Sequence, residues 1–415
     1  MLKSLAASLG LLSATILAQP ALAGGGEALQ IFVSKAEQTL TVYDGDRVIA
    51  TSRVSTGKAG HTTPSGIFSI LEKRKYHESN LYSNAPMPWM QRITWSGVAL
   101  HESSSVPSYP ASHGCIRLPR AFAKDLFAMT ERGAHVIITD QPVTPVWLEH
   151  AALFSPRIPA QEGQLLSDAE LRPTTIDASL KPVEVAMADV LPKAGATAKV
   201  VLKDEPPLRI LITRRGQRET LLDAQALLGE LGFDAGVPDG HIGKLTVSAV
   251  NGFKRWKGLD TRGELVTAEF LDALYQSAGK GPPPLGQIMV RQKFKPMFEA
   301  PVTIADPHVA LGTHLIEAVD VDRYGGKAAW RAVTLDNHIS KTMAKRLGIT
   351  EPSGDATIDN AAAALDRTTI PDDIRHRIET LMSEGTSLTI SDTGIGPETG
   401  PGTDFITITH RAPKA

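Results

Sequence analysis

A single cysteine, Cys115, occurs in 415 residues. No intramolecular disulfide can form, so stability must come from packed apolar cores. Neither sign of charge is in excess: 43 Lys and Arg face 45 Asp and Glu, a net charge of −2. That balance gives no reason to expect nucleic acid or an anionic membrane as a partner. After the N-terminal stretch, no segment is long and apolar enough to span a bilayer.

The N-terminal stretch itself is distinctive. Met1-Leu2-Lys3 is followed by an apolar run from Leu5 to Leu17 and then by Gln19-Pro20-Ala21-Leu22-Ala23. A positive start, a short apolar stretch and a small-x-small end predict a secretory signal peptide at 1–23, cleaved before Gly24; an uncleaved anchor is the weaker reading. No lipobox cysteine is available, because Cys115 is the only one. The mature chain is therefore expected to be soluble and outside the cytoplasm.

Proline sets the punctuation. Pro142, Pro145, Pro156, Pro159, Pro173, Pro182 and Pro192 break up the stretch after Asp140, and Gly281-Pro282-Pro283-Pro284 interrupts the chain again. The expected division is a unit at 27–140, a Pro-rich linker at 141–214, a unit at 215–280 and a unit at 286–412. The expected fold class is multidomain α+β: a mostly-β first unit, a small three-helix second and a mixed third.

Cys115 sits in Ser112-His113-Gly114-Cys115-Ile116-Arg117, two residues after His113 and fourteen after His101. A lone cysteine is ordinarily a small buried hydrophobe. This one is flanked by poor core formers and follows a polar, Pro-containing loop, Ser103 to Ser112. An imidazole that takes the thiol proton makes cysteine a strong nucleophile, and small neighbours let a carbonyl carbon approach. The hexapeptide thus points to thiol acyl transfer. An alternative is a zinc envelope peptidase with His101, His113 and Cys115 as ligands, but the His-x-Cys spacing is awkward and Glu102 alone could act as its base. A non-catalytic scaffold is a further alternative.

In the first unit, Ala28 to Val33 reads as a strand, and Thr39 to Tyr43 and Arg47 to Ser55 flank Asp44-Gly45, a tight-hairpin signal. Gly66 to Leu71, Arg92 to Thr94, Val98 to His101 and Val136 to Thr139 also read as strands. Pro119 is expected as the first residue of a helix whose apolar face is Phe122, Leu126 and Met129, with Gly133 ending it. Ser-Thr-Gly-Lys (55–58), Thr-Pro-Ser-Gly-Ile-Phe (63–68), Leu-His (100–101) and Ser-His-Gly-Cys-Ile-Arg-Leu (112–118), in this order and spacing, resemble the L,D-transpeptidase catalytic domain over residues 28–140.

The resemblance implies an envelope enzyme acting on peptidoglycan tetrapeptide stems. It implies Cys115 as nucleophile and His101 as proton acceptor and donor, with the Glu102 backbone carbonyl orienting the base. Ser112, His113 and Gly114 would shape the pocket and oxyanion site, and Arg117 would meet a substrate carboxylate or organise the loop. The Glu102 side chain, where the family more often has Gly, Ser or Thr, is expected near the imidazole, favouring its protonated form. No cofactor or metal is expected. The acyl acceptor is open among a stem amine, a free D-amino acid, a lysine of an outer-membrane protein and water, the last making an L,D-carboxypeptidase. Export and stem chemistry together imply the periplasm.

Other first-unit residues carry weaker signals. His61 and His77 read as solvated loop histidines that could line the cleft. Tyr76, Tyr82, Met87, Trp89 and Met90 read equally as a lid or as packing, and His135 reads as structural.

The second unit shows a helix over Thr220 to Leu231, a turn Asp239-Gly240-His241-Ile242-Gly243, a helix bearing Val247, Val250, Phe253 and Trp256, and a third helix capped by Thr267. Leu-x-x-x-Gln (221–225), Leu-Gly-Phe (231–233), Pro-Asp-Gly-His-Ile-Gly (238–243) and Thr246 resemble the peptidoglycan-binding domain of cell-wall hydrolases, which implies tethering to the wall. In the third unit, Ile288 to Val290, Leu388 to Ile390 and Phe405 to Thr409 read as strands and Ile374 to Met382 as a helix. Its Gly-rich strings at 392–396 and 399–403 lack the Gly-Lys-Ser/Thr of a phosphate loop and read as turns. Ser391-Asp-Thr-Gly and Gly402-Thr-Asp-Phe-Ile faintly echo the first unit; a degenerate copy without the nucleophile is the weaker reading, chance coincidence of short Gly-containing strings the stronger, and the sequence assigns this unit no function.

Overall fold

A computed structural model of the chain describes residues 28–79, 84–158, 205–352 and 358–410. The expected signal peptide, the middle of the Pro-rich stretch and Tyr82 lie outside the described residues. The architecture is α+β in several parts: an N-terminal β-rich part, a helical region and a large C-terminal sheet with helices.

In chain order the first part holds β1 (Gln30–Ser34), β2 (Thr39–Asp44), β3 (Arg47–Arg53), β4 (Ser65–Ser69), β5 (Glu72–Arg74), β6 (Met90–Arg92), β7 (Ala99–Glu102), β8 (Ile116–Leu118), α1 (Arg120–Met129) and β9 (His135–Thr139). The hairpin between β2 and β3 pairs Asp44 with Arg47, so Gly45 and Asp46 form a two-residue loop, with Gly45 at φ +57°. Two strands escaped the sequence reading, β5 and β8. The second lies inside the cysteine motif, too short to announce itself: Ile116 and Leu118 turn into the core while Arg117 faces away. Pro119 precedes α1 as an extended cap residue, and Thr130, not Gly133, ends the helix. Ala123 and Leu126 are its buried face, and Leu126 contributes about 2 kcal/mol by area.

The rest comprises β10 (Val146–Trp147), β11 (Arg209–Arg214), α2 (Gln217–Glu230), α3 (Lys244–Lys257), α4 (Ala268–Ser277), β12 (Gly286–Gln292), β13 (Lys295–Ile304), β14 (Thr313–Asp322), β15 (Lys327–Leu335), α5 (Lys341–Leu347), α6 (Ile358–Asp366), β16 (Thr368–Thr369), α7 (Asp372–Leu381), β17 (Ser387–Ser391) and β18 (Thr407–His410). Eight strands form one mixed sheet in the order β10-β15-β14-β17-β11-β12-β13-β16. β11, inside the stretch read as linker, is a fully buried central strand. Prolines on its N-terminal side masked Leu208 and the Ile210-Leu211-Ile212 apolar run, which is strand-like in its own right. Thr267 caps α4 as expected, its hydroxyl accepting from Phe270 N at 3.2 Å.

In the helical region, buried Gln225 gathers the motif residues. Its amide donates to Asp239 Oδ1, the His241 carbonyl and Thr246 Oγ1, and its carbonyl accepts from the N–H groups of Asp239 and Gly240. The Gly-rich turn is thereby fixed on α2 by one side chain.

The tail does not form a second copy of the first part. Ser391 to Gly394 end β17, whereas Gly402 to Ile406 lead into β18, which pairs antiparallel with β4. The first large sheet therefore runs β18-β4-β9-β1-β2-β3, with its edge strand supplied from the far end of the chain. Ile406 packs in the same core as Phe68, Val136 and Ile138. Gly66, at φ +152°, admits this strand: a Cβ there would run into the Thr407 carbonyl. An apolar seam of Phe32, Tyr43, Ile67 and Ile137 against Leu315, Val333 and Leu335 presses the two large sheets together.

Candidate active site

The small sheet β5-β6-β7-β8 carries the site. β7 and β8 are parallel, pairing Leu100 with Ile116 and His101 with Arg117. Side chains alternate along strands. Leu100, Ile116 and Leu118 accordingly enter the core, which leaves His101, Arg117 and Cys115, just before β8, on the opposite face.

Three separated motif strings meet behind this face. Ser55 exchanges two backbone hydrogen bonds with Arg117, and Lys58 N donates to the Ser112 carbonyl at 3.0 Å. The Thr63 hydroxyl accepts from Gly57 N and donates to the Gly114 carbonyl, both at 2.8 Å. Gly57 has no room for a side chain: a Cβ would strike the His61 carbonyl and Thr63 N. Gly114 stands at φ +116°, a conformation that L-residues with a Cβ resist. Ser112 Oγ donates to the Cys115 carbonyl at 2.5 Å and accepts from Gly114 N at 3.1 Å, stapling the turn. The Gly114 N–H is thus occupied in this conformation.

His101 Nδ1 lies 2.8 Å from the Glu102 carbonyl. A carbonyl only accepts, so Nδ1 carries the proton and Nε2 presents its lone pair. Burial, with some help from the Arg117 charge, pulls the imidazole pKa down to about 4, so it is neutral near pH 7. The Glu102 carboxylate does not favour the protonated form, contrary to expectation. It lies 3.8 Å from Arg120, and Glu102 acts on the imidazole through its carbonyl.

The Cys115 thiol donates to the Gly97 carbonyl at 3.5 Å. Burial pushes its pKa up, opposed by the Ala99 N–H and the charges of Arg92 and Arg117. The resting pair is therefore neutral thiol and neutral imidazole. Met87, Met90 and Ala99 pack beside the cysteine, whereas Trp89 packs on Phe127 of α1. Sequence reasoning missed Gly97 and Ala99, whose contributions are backbone groups and carry no residue-type signal.

His113 is exposed and faces the His61 ring at 4.8 Å between centroids. Its pKa is lowered by desolvation and by the nearby Lys58, His61 and Arg117. His77 contacts Arg92 at 3.4 Å, and Tyr76 is an exposed donor to Glu78. The zinc alternative finds no support in the placement of its three candidate ligands. Among the described residues, the three-residue group close enough to share an ion is Asp140, Asp336 and His338, not His101, His113 and Cys115. His135 is buried against Ser387 of the C-terminal sheet, at 3.0 Å. Cavities of about 520 and 530 Å³ border the helical region, lined by residues such as Tyr275 and Pro301 or Arg215 and Leu265, away from Cys115. No helix among the described residues is long and apolar enough to cross a membrane.

Residues 29–138, which include Cys115 and His101, match the family model described as the L,D-transpeptidase catalytic domain, YkuD. Among solved structures, an L,D-transpeptidase from Mycobacterium smegmatis is 24% identical, with 27% of this chain and 58% of that chain covered and a TM-score of 0.26. One from Stackebrandtia nassauensis is 29% identical, with 28% and 58% covered and a TM-score of 0.26. One from Xylanimonas cellulosilytica is 29% identical, with 26% and 59% covered and a TM-score of 0.25. The chain thus spans under two thirds of each of these structures. Comparison with curated proteins gives no match.

Proposed function

We propose that this chain, whose residues 29–138 match the L,D-transpeptidase catalytic domain, is a cysteine acyltransferase acting on peptidoglycan tetrapeptide stems. The observation that carries the reading is the orientation of His101: Nδ1–H is spent on the Glu102 carbonyl, so Nε2 is a free base on the face it shares with Cys115. His101 takes the thiol proton as Cys115 Sγ attacks the carbonyl before the terminal D-Ala. Both groups rest uncharged, so the thiolate forms during the reaction and is not stored beforehand; Arg92 and Arg117 favour it as it appears.

Backbone N–H groups of Gly114 and Cys115 serve the oxyanion, with Gly114 exchanging its Ser112 partner for the substrate oxygen; one such donor is worth about 3 kcal/mol in comparable enzymes. His101 returns the proton to the departing amine of D-Ala and leaves a thioester at Cys115. A second amine then attacks. Arg117 suits a stem carboxylate. The helical region, by its sequence resemblance, holds the enzyme to the wall, and the N-terminal 23 residues direct it to the periplasm.

Because Cys115 is the only cysteine, an electrophilic carbapenem reports on it alone. Wild type should gain the mass of one carbapenem and Cys115→Ala none. His101→Gln should form the adduct about 100-fold more slowly, the usual scale for a lost general base. An adduct of equal rate in all three proteins would refute the assignment.

A further inference from the structure

We infer that Glu398, carried by the C-terminal part of the chain, is a positioning residue for Cys115: its carboxylate holds the turn that places the Gly97 carbonyl on the thiol. The inference uses the proposed nucleophile only for its catalytic consequence.

Glu398 Oε2 accepts from Trp95 N at 2.8 Å and from Ser96 N at 3.3 Å, across 303 and 302 residues of sequence. Gly97, the next residue, offers its carbonyl to Cys115 Sγ. Inside the turn, Gly97 N reaches the Thr94 carbonyl at 3.3 Å and Thr94 Oγ1 accepts from Val98 N at 2.9 Å. Gly97 itself stands at φ +113°, and a glycine adds little restraint of its own. Ile93 N and Thr94 N also donate to the Val98 carbonyl, and Ser96 Oγ donates to Thr94 Oγ1, so the ends of the turn are tied internally. The external carboxylate adds restraint at the tip, where it accepts from the two adjacent N–H groups of Trp95 and Ser96.

The loop that presents Glu398 is braced on both sides. Arg291 donates to the carbonyls of Gly400 and Thr403 at 3.0 and 2.7 Å, and Arg132 of the first part donates to the Gly402 carbonyl at 2.6 Å. Thr399 Oγ1 accepts from Ile406 N at 2.8 Å, and Ile406 is core. A carboxylate on so fixed a base can set the position of what it binds.

The direction of the effect follows. A carbonyl that accepts from S–H stabilises the thiol over the thiolate. Loosening the turn removes that acceptor and admits more water to a half-buried sulfur, and both changes ease ionisation. Glu398 thus keeps the resting thiol protonated and aligned.

The test is alkylation of the full chain by iodoacetamide, followed across pH by intact mass. Glu398→Ala should move the midpoint of the rate profile to lower pH and raise the rate at neutral pH about threefold or more, as a half-unit shift requires. Glu398→Gln should restore the wild-type profile, because an amide oxygen can accept from both N–H groups. Thermal midpoints confirm that each variant is folded. A Glu398→Ala profile superimposable on wild type, or a Gln variant that behaves like Ala, overturns the inference. If wild type alkylates normally yet leaves tetrapeptide stems intact, the transpeptidase reading fails while the clamp is still judged by the profiles.

Discussion

Around Cys115 the buried polar groups take most of their partners from nearby backbone: a carbonyl for His101, another for the thiol, an N–H and two carbonyls around Ser112 and Thr63. At the seam between the two large sheets, the buried groups are drawn from distant parts of the chain. Arg209 binds the carbonyls of Gly133 and Gly385 and lies 3.7 Å from Asp404, while His135 lies 3.9 Å from Glu317. The first arrangement sets one residue's tautomer and proton. The second fastens two sheets, and its groups are held close to neutral where they can be: burial drives the His135 pKa well down and the Glu317 pKa up to about 8. Buried ionisable groups therefore mark chemistry at one place and assembly at the other, and perturbed pKa values alone do not distinguish them.

The sharpest way to break this comparison is to detach the tail that joins the two regions. Gly66→Val sets a branched side chain against the Thr407 carbonyl and a backbone at φ +152°. It should cost about 3 kcal/mol or more in denaturant unfolding, beyond ordinary overpacking, because backbone cannot yield as a side chain does. A cost under about 0.5 kcal/mol, the range of surface substitutions, would mean that β18 is dispensable to the first sheet.

A gentler change probes the seam through pH. Glu317 has a folded pKa of about 8 against an ordinary value of 4.5, so the folded state holds its proton longer than the unfolded state. Its contribution is full below pH 4.5 and is lost as pH rises towards 8. His135 works in the other direction, losing stability as pH falls below 6.5, because it must stay neutral when folded. Glu317→Gln should remove the decline in thermal midpoint between pH 4.5 and 8 and leave the loss caused by His135 below pH 6.5 in place. The same decline in the variant would place its cause elsewhere.

Much of the site was legible because its parts are short strings of unusual residues. Ser-His-Gly-Cys, Thr-Pro-Ser-Gly and Ser-Thr-Gly-Lys each contain a glycine or hydroxyl that the geometry uses, at Gly114, Thr63 and Gly57. What could not be read were the backbone groups of Gly97 and Ala99, and everything that depends on pairing over long distance. β18 reads locally as a plausible strand, but nothing in Thr407 to His410 says that its partner is β4. β14 and β15, ten and nine residues long, went unremarked although they form much of the largest sheet. β14 is buried for most of its length, so the alternation that marks a half-buried strand is absent. Glu398 sits among turn residues, and only the folded chain brings it to Trp95.

The most direct test of the central claim is mass spectrometry of muropeptides after the protein, beside Cys115→Ala, has acted on tetrapeptide-rich sacculi. The account predicts Cys115-dependent loss of terminal D-Ala together with new L,D cross-links; sacculi unchanged by the wild-type protein would contradict it, and D-Ala loss without cross-links would replace the amine acceptor with water.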